Sequence, residues 1–166
     1  VDIKNIDRVT VKVYRIDPIA YFAATGRAVG IELDLDGITA SYEDSMTLAV
    51  PQIQRTRHTF TLPSCARPGT YIVEVIGGGI ASRTLLNKGR LRCLARPSAA
   101  GTVVAVFDSE AAGADIRPLA GAKLWLAGLE LVADATHEIV VPLSVANQTQ
   151  TALVVAGDVA TVLELP

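Results

Sequence analysis

Aromatic side chains are scarce: Phe, Trp and Tyr make up 5% of the 166 residues, and Trp occurs once. A lone Trp is a poor sugar-stacking platform without further rings beside it. Neither sign of charge dominates, since 15 Lys+Arg against 17 Asp+Glu leave a formal charge of -2. That balance argues against a nucleic-acid surface, which is normally basic. Two cysteines, Cys65 and Cys93, are too few for the disulfide framework of small secreted domains. They form one bridge or none, and two small buried hydrophobes is the simplest reading. No apolar run approaches the roughly 20 residues of a membrane-spanning helix, so no membrane insertion is expected. An initiator Met and a signal peptide are missing as well. The chain opens on Val1-Asp2-Ile3 and stops at Leu165-Pro166 inside an alternating run, so both ends are expected to be cuts in a longer polypeptide.

What the chain does have is small apolar residues. Half of it is hydrophobic, with 24 Ala and 19 Val, enough for a packed core. Val, Ile and Thr total 45 and gather in short alternating runs, the period-2 signature of half-buried strands. The first run is Val9 to Ile16, with Val9, Val11 and Val13 on one face. Asp17-Pro18 ends it and opens the one helix expected, near residues 18–25, with Asp17 as N-cap, Pro18 in the first turn and Gly26 as the stop. That helix is expected to plug the end of a sandwich. Val29 to Asp36 reads as a second strand, closed by Asp36-Gly37. Residues 39–54 are less regular and read as including a long loop, Thr59 to Pro63 reads as a short strand, and Thr70 to Ile76 as a strand ended by Gly77-Gly78-Gly79. Ile80 to Leu86 returns antiparallel, and Asn87-Lys88-Gly89 turns again.

Beyond Arg90, strands are expected at 91–94, 102–107, 122–126, 137–142, 151–155 and 159–165, with Gly157-Asp158 as a tight hairpin. Short strands at near-regular spacing indicate sandwiches. The fold expected is all-β: two small antiparallel β-sandwiches in tandem, residues 1–88 with the short helix and residues 89–166. A single continuous sandwich is the alternative. There is a faint internal echo. Phe60 to Pro63, a loop, then Thr70 to Val73 is similar to Ile139 to Pro142, a loop, then Thr151 to Val154.

Chemistry-bearing motifs are few. No nucleophile elbow, Walker loop, zinc-binding His pair or EF-hand loop occurs. His58 and His137 fall on expected strands and read as solvent-facing. The Gly77-Gly78-Gly79 loop has no helix after it and reads as a hairpin rather than a phosphate cradle. Glu32, Asp34 and Asp36 alternate with Ile31, Leu33 and Leu35; a Ca²⁺ site is conceivable, a solvated strand face simpler. Asp108, Glu110 and Asp115 border a loop and read the same way. Trp125 is expected to be buried, with a sugar platform as the other reading. Asn147-Gln148-Thr149 is a glycosylation sequon. Arg55, Arg57, Arg67, Arg83, Lys88, Arg90, Arg92 and Arg96 crowd the middle third, as a solvated face or a stripe for an acidic neighbour. No catalytic, cofactor-binding or metal-ligating residue is assigned, and no cofactor is expected.

Two stretches carry a family resemblance. Leu62-Pro63, then Pro68-Gly69-Thr70-Tyr71-Ile72-Val73-Glu74-Val75, resembles a late strand pair of immunoglobulin-like and macroglobulin-type sandwiches, where a Pro-Gly turn leads into a strand opened by Tyr. Val106-Phe107-Asp108, Ile116 to Gly128, Ala133-Asp134 and His137 to Pro142 follow an order similar to macroglobulin domains and the prealbumin-like domains of carboxypeptidases. The usual Gly of one turn is replaced by Ala135-Thr136, and the Cys-Gly-Glu-Gln thioester motif is absent, so covalent trapping does not reside here. The resemblance implies a non-enzymatic structural and interaction module of a larger macroglobulin-like protein, extracellular or at the cell surface. Its partners would be neighbouring domains of the parent polypeptide, with a protease as a further partner in a trapping protein. A carbohydrate- or ligand-binding adhesion module is the alternative. Exposed rings near Trp125 and Tyr71 would favour that one.

Overall fold

A computed structural model describes residues 1–49, 53–110, 116–143 and 149–165. They form thirteen strands and one α-helix: β1 (Asp2–Ile3), β2 (Arg8–Ile16), α1 (Pro18–Thr25), β3 (Tyr42–Thr47), β4 (Thr56–Arg57), β5 (Gly69–Gly77), β6 (Ile80–Lys88), β7 (Leu91–Ser98), β8 (Gly101–Asp108), β9 (Lys123–Leu126), β10 (Leu129–Val132), β11 (Glu138–Pro142), β12 (Gln150–Ala156) and β13 (Val159–Leu165). The fold is all-β and antiparallel with one short helix, as the alternation predicts. Two compact units divide the chain: Val1–Ile16 with Gly30–Leu86, and Asp17–Val29 with Asn87–Pro166. The helix therefore groups with the second unit rather than with the sandwich expected over residues 1–88.

In the first unit a four-stranded sheet runs β3-β2-β5-β6, and a two-stranded sheet pairs β1 with β4. Alternation in β2 sends Val9, Val11 and Val13 to one face, where they join Ile3, Leu48, Cys65, Tyr71 and Val73 in a core. On the opposite face Thr10 meets Ser45 at 2.7 Å and Lys12 pairs with Glu43 at 3.4 Å, while Tyr14 and Ile72 further along it are buried. Gly78 and Gly79 both have positive φ, as a type I′ two-residue hairpin turn requires, so the glycine run is the β5–β6 turn. Three expectations fail here. Residues 42–47 form edge strand β3 rather than a loop, because only Tyr42 and Met46 pack on the core and the polar residues between hide the pattern. Residues 29–36 are turns rather than a strand. Asp34 Oδ1 accepts from the Asp36 N–H at 3.0 Å, and this local bond replaces ladder pairing. Thr59 to Leu62 is also not a strand; β4 lies just before it.

The second unit is a two-sheet sandwich with orders β10-β9-β12-β13 and β11-β8-β7. Its core holds Val104, Val106, Ala122, Leu124, Ile139, Val141, Ala152, Val154 and Leu165. The outer face of β12 is covered by α1: Phe22 packs on Leu153 and Val155, with Ile19 and Trp125 beside them. The helix thus lies on a sheet face rather than plugging an end. Its boundaries follow the sequence signals. Asp17 Oδ1 accepts from the N–H groups of Ile19 and Ala20 at 2.9 and 3.2 Å, and Gly26 closes it at φ 66°. Strand β10 was not expected; Ala127-Gly128, both at positive φ, turn the chain into it.

The two units share one strand plan. In chain order β1 to β6 correspond to β8 to β13: the pairs β1–β4 and β8–β11, β2–β3 and β9–β10, β2–β5 and β9–β12 are all antiparallel neighbours. Gly78-Gly79 and Gly157-Asp158 close equivalent hairpins. The internal echo falls on equivalent segments of this plan, around β4 and β5 and around β11 and β12. Strand β7 has no counterpart in the first unit among the described residues.

Candidate functional site

The first unit's core is closed on one side by two-residue strands and coil, and there it leaves a groove of about 390 Å³. Val11, Val73 and Val75 of the large sheet line it, with Phe60, Leu62 and Leu86. Arg57, His58 and Thr59 line it too, and no carboxylate does. Asp2 accepts from Arg57 Nε at 2.9 Å and pairs with Arg55 at 3.4 Å, so two guanidiniums share one carboxylate. The hydrogen bond from Arg57 holds the Asp2 carboxyl below its ordinary pKa. His58 Nε2 is sealed from solvent without a partner among the described residues.

A second polar feature lies on the other face of the same sheet. Glu74 is buried and accepts from Arg83 Nε at 2.8 Å; Arg83 Nη1 also donates to the Leu33 carbonyl at 3.2 Å. The Tyr14 phenol is raised above its ordinary pKa, by burial first and by the Glu74 charge second. Through that bond the pair ties Leu33 to β6, in a segment whose Leu35 is buried.

In the second unit a groove of about 500 Å³ runs between Phe22, Ala23 and Gly26 of the helix region and Trp125 to Gly128. Trp125 is half-buried against Phe22, and its Nε1 is shut from solvent with no acceptor among the described residues. On the outer face of the three-stranded sheet, Arg96 grips Glu138 at 2.8 Å and Arg92 lies 5.8 Å above the Phe107 ring. The turn before β11 is held by Asp134, whose Oδ1 accepts from Thr136 and Glu138 N–H at 2.8 and 3.1 Å. Hydrogen bonds from the Thr136 hydroxyl and these amides hold its carboxyl below the ordinary range. The left-handed residue in this turn is His137, at φ 63°, and not Ala135 or Thr136.

Among the described residues, the candidates read from sequence are not brought together into a reactive centre. His58 follows β4 in coil, and His137 sits in a turn with Nδ1 3.3 Å from the Pro118 carbonyl, so neither lies on a strand. Asp34 and Asp108 each accept the N–H two residues ahead. Among the described residues no three His, Cys, Asp or Glu side chains group to hold a metal. Asp115 and Asn147 lie outside the described residues. The basic residues are not one free stripe: Arg55, Arg57, Arg83 and Arg96 are each ion-paired within their own unit. Neither cysteine is in a disulfide; Cys65 is buried, and burial pushes the Cys93 thiol up to about 11. The groove in the first unit was missed, because its lining comes from segments far apart in the chain, Val1, Val11, Arg57 to Phe60, Leu62, Val73, Val75 and Thr84 to Leu86.

Tyr71 is 1% exposed, and its hydroxyl donates to the Arg67 carbonyl four residues upstream at 2.9 Å. A Tyr opening a strand and bonding back to the preceding turn is a hallmark of immunoglobulin-like sandwiches. Residues 9–89 match a family model described as the AbpF first immunoglobulin-like domain. The fold is immunoglobulin-like. Over 110 residues, 65% of this chain, the sequence is 29% identical to actin-binding protein F of Dictyostelium discoideum, and the match spans 5% of that protein. Solved structures of native alpha-2-macroglobulin from Escherichia coli share the fold. One spanning domains MG0-NIE-MG1 aligns with a TM-score of 0.58 at 16% identity, over 99% of this chain and 57% of its own. One spanning NIE-MG1 aligns at 0.54 and 15%, over 99% and 86%. The chain is therefore similar to a small part of the curated relative and to about half of the longer solved structure.

Proposed function

We propose that this chain is a non-catalytic structural and interaction module of a longer polypeptide, two immunoglobulin-like sandwiches that scaffold contacts with neighbouring domains. The observation that carries this reading is the immunoglobulin-like match over residues 9–89, beside a relative of which the separately aligned 110 residues are 5%. Apolar side chains left exposed support it: Ile80 at 72%, Leu94 at 60% and Leu129 at 62% suit contact with neighbours. Protease trapping and a place outside the cell or on its surface belong to the proposal through the macroglobulin-like fold alone. Actin binding is a property of the relative's name and enters here as a partner to test. Glycan adhesion is not proposed, because Tyr71 is buried and Trp125 packs against Phe22. The test is urea unfolding of this chain alone and within its parent polypeptide. A higher midpoint in the parent is the expected result. Equal midpoints overturn the scaffold reading.

A further inference from the structure

The strand plan shared by the two units gives the first unit's groove a definite occupant. In the second unit β7 pairs antiparallel with β8 and lies against β13. Their equivalents are β1 and β6, and the groove lies where β7's equivalent would run: Val1 is on its wall beside β1, and Thr84, Leu85 and Leu86 of β6 are on the other. Strand β1 has β4 on one edge and no strand on the other among the described residues. The Val1 amine donates to the His58 carbonyl, and the His58 N–H donates to the Val1 carbonyl, both at 2.9 Å. In an antiparallel ladder the next residue's polar groups point the opposite way, so Asp2 offers its N–H and C=O to the open edge. The floor is apolar, as the core beneath β7 is, where Leu91 and Cys93 pack inward.

We infer that the groove receives an extended strand of the parent polypeptide leading into Val1, running antiparallel to β1 with apolar residues at alternate positions. Two features select it. In the second unit β7 immediately precedes β8 in the chain across a short turn, so its equivalent directly precedes β1. Arg57 lines the groove, and it shares the single carboxylate of Asp2 with Arg55, so acidic or neutral residues suit the polar positions of the occupant. An isologous contact with a second copy instead sets these guanidiniums against each other.

The inference rests on the reading of the chain as part of a longer polypeptide, and its test is separable from that reading. The chain is extended upstream of Val1 by about ten residues of its parent sequence, enough for one strand and a turn. A Gly/Ser extension of equal length is the control. Amide hydrogen exchange is followed by NMR. The native extension is expected to slow exchange at Asp2 and Thr84 to Leu86 about tenfold or more, as ladder formation and burial do. The Gly/Ser extension is expected to leave it unchanged. Leu86→Glu, at a site already 37% exposed, is expected to remove the protection while the remaining amides keep their shifts. Three results overturn the inference: no protection from the native extension; protection that appears only with a different domain of the parent; or a dimer of the unextended chain, seen by sedimentation, with these amides already protected. Any of them beside a raised urea midpoint in the full parent removes the strand and leaves the module reading standing.

Discussion

Removing the Arg83 cation tests how the first unit holds its polar face. Glu74 has a side chain 9% exposed and Arg83 one 34% exposed, with a 2.8 Å bond between them. Breaking a fully buried pair from one side costs about 3–5 kcal/mol, because a charge is left unpaired. Arg83 is a third exposed, and Lys12 sits across the ladder from Glu74, so solvent and Lys12 compensate in part. Arg83→Met is therefore expected to cost about 2 kcal/mol. Glu74→Gln leaves a cation that can turn to water and should cost about 1 kcal/mol. The double variant should cost less than the sum, with a coupling of about 1 kcal/mol. Urea unfolding, read on the amide signals of β2 and β5, measures all three. Glu74→Gln removes the second cause of the raised Tyr14 phenol, so that phenol should titrate lower in this variant and not in Arg83→Met. Strict additivity, or an Arg83→Met cost under about 0.5 kcal/mol, would refute the argument.

Three further outcomes are expected. Gly101 has φ +133°, and a Cβ there runs into the Val141 carbonyl oxygen, so Gly101→Ala should cost more than about 3 kcal/mol by thermal unfolding. Asp134 has a folded pKa below its unfolded value of 3.8, so its contribution is complete above that value and lost as pH falls through the depressed folded one; Asp134→Asn should flatten the acid limb of the stability curve below about pH 4. The Cys93 thiol, pushed up to about 11, should react slowly with a thiol reagent at pH 8 in a Cys65→Ala background and speed up toward that pH. Labelling at the rate of the urea-unfolded chain would contradict its burial.

Much of the fold was legible because burial here follows the alternation. Val9, Val11 and Val13, or Val104 and Val106, announce both strand and inward face. The helix was legible from Asp17, Pro18 and Gly26, three local signals that need no tertiary context. The misreadings share a cause. Ile31 to Asp36 has a strand's pattern, but only Leu35 finds a core and Asp34 turns the backbone locally. Tyr42 to Thr47 is a strand whose polar residues face Thr10 and Lys12 rather than a core, and no periodicity marks that. The helix's destination, on Leu153 and Val155 far along the chain, was equally invisible. The groove joins segments far apart in the chain, and it became readable only when the two units were matched strand for strand.

The most direct test of the account is hydrogen exchange of this chain alone and inside its parent polypeptide under one set of conditions. If the chain is a module seated on its neighbours, Asp2, the β6 edge from Thr84 to Leu86 and the exposed strand β7 slow about tenfold or more in the parent, while the interior strands β2, β5 and β12 do not change. Exchange that is the same at every one of these positions would contradict it.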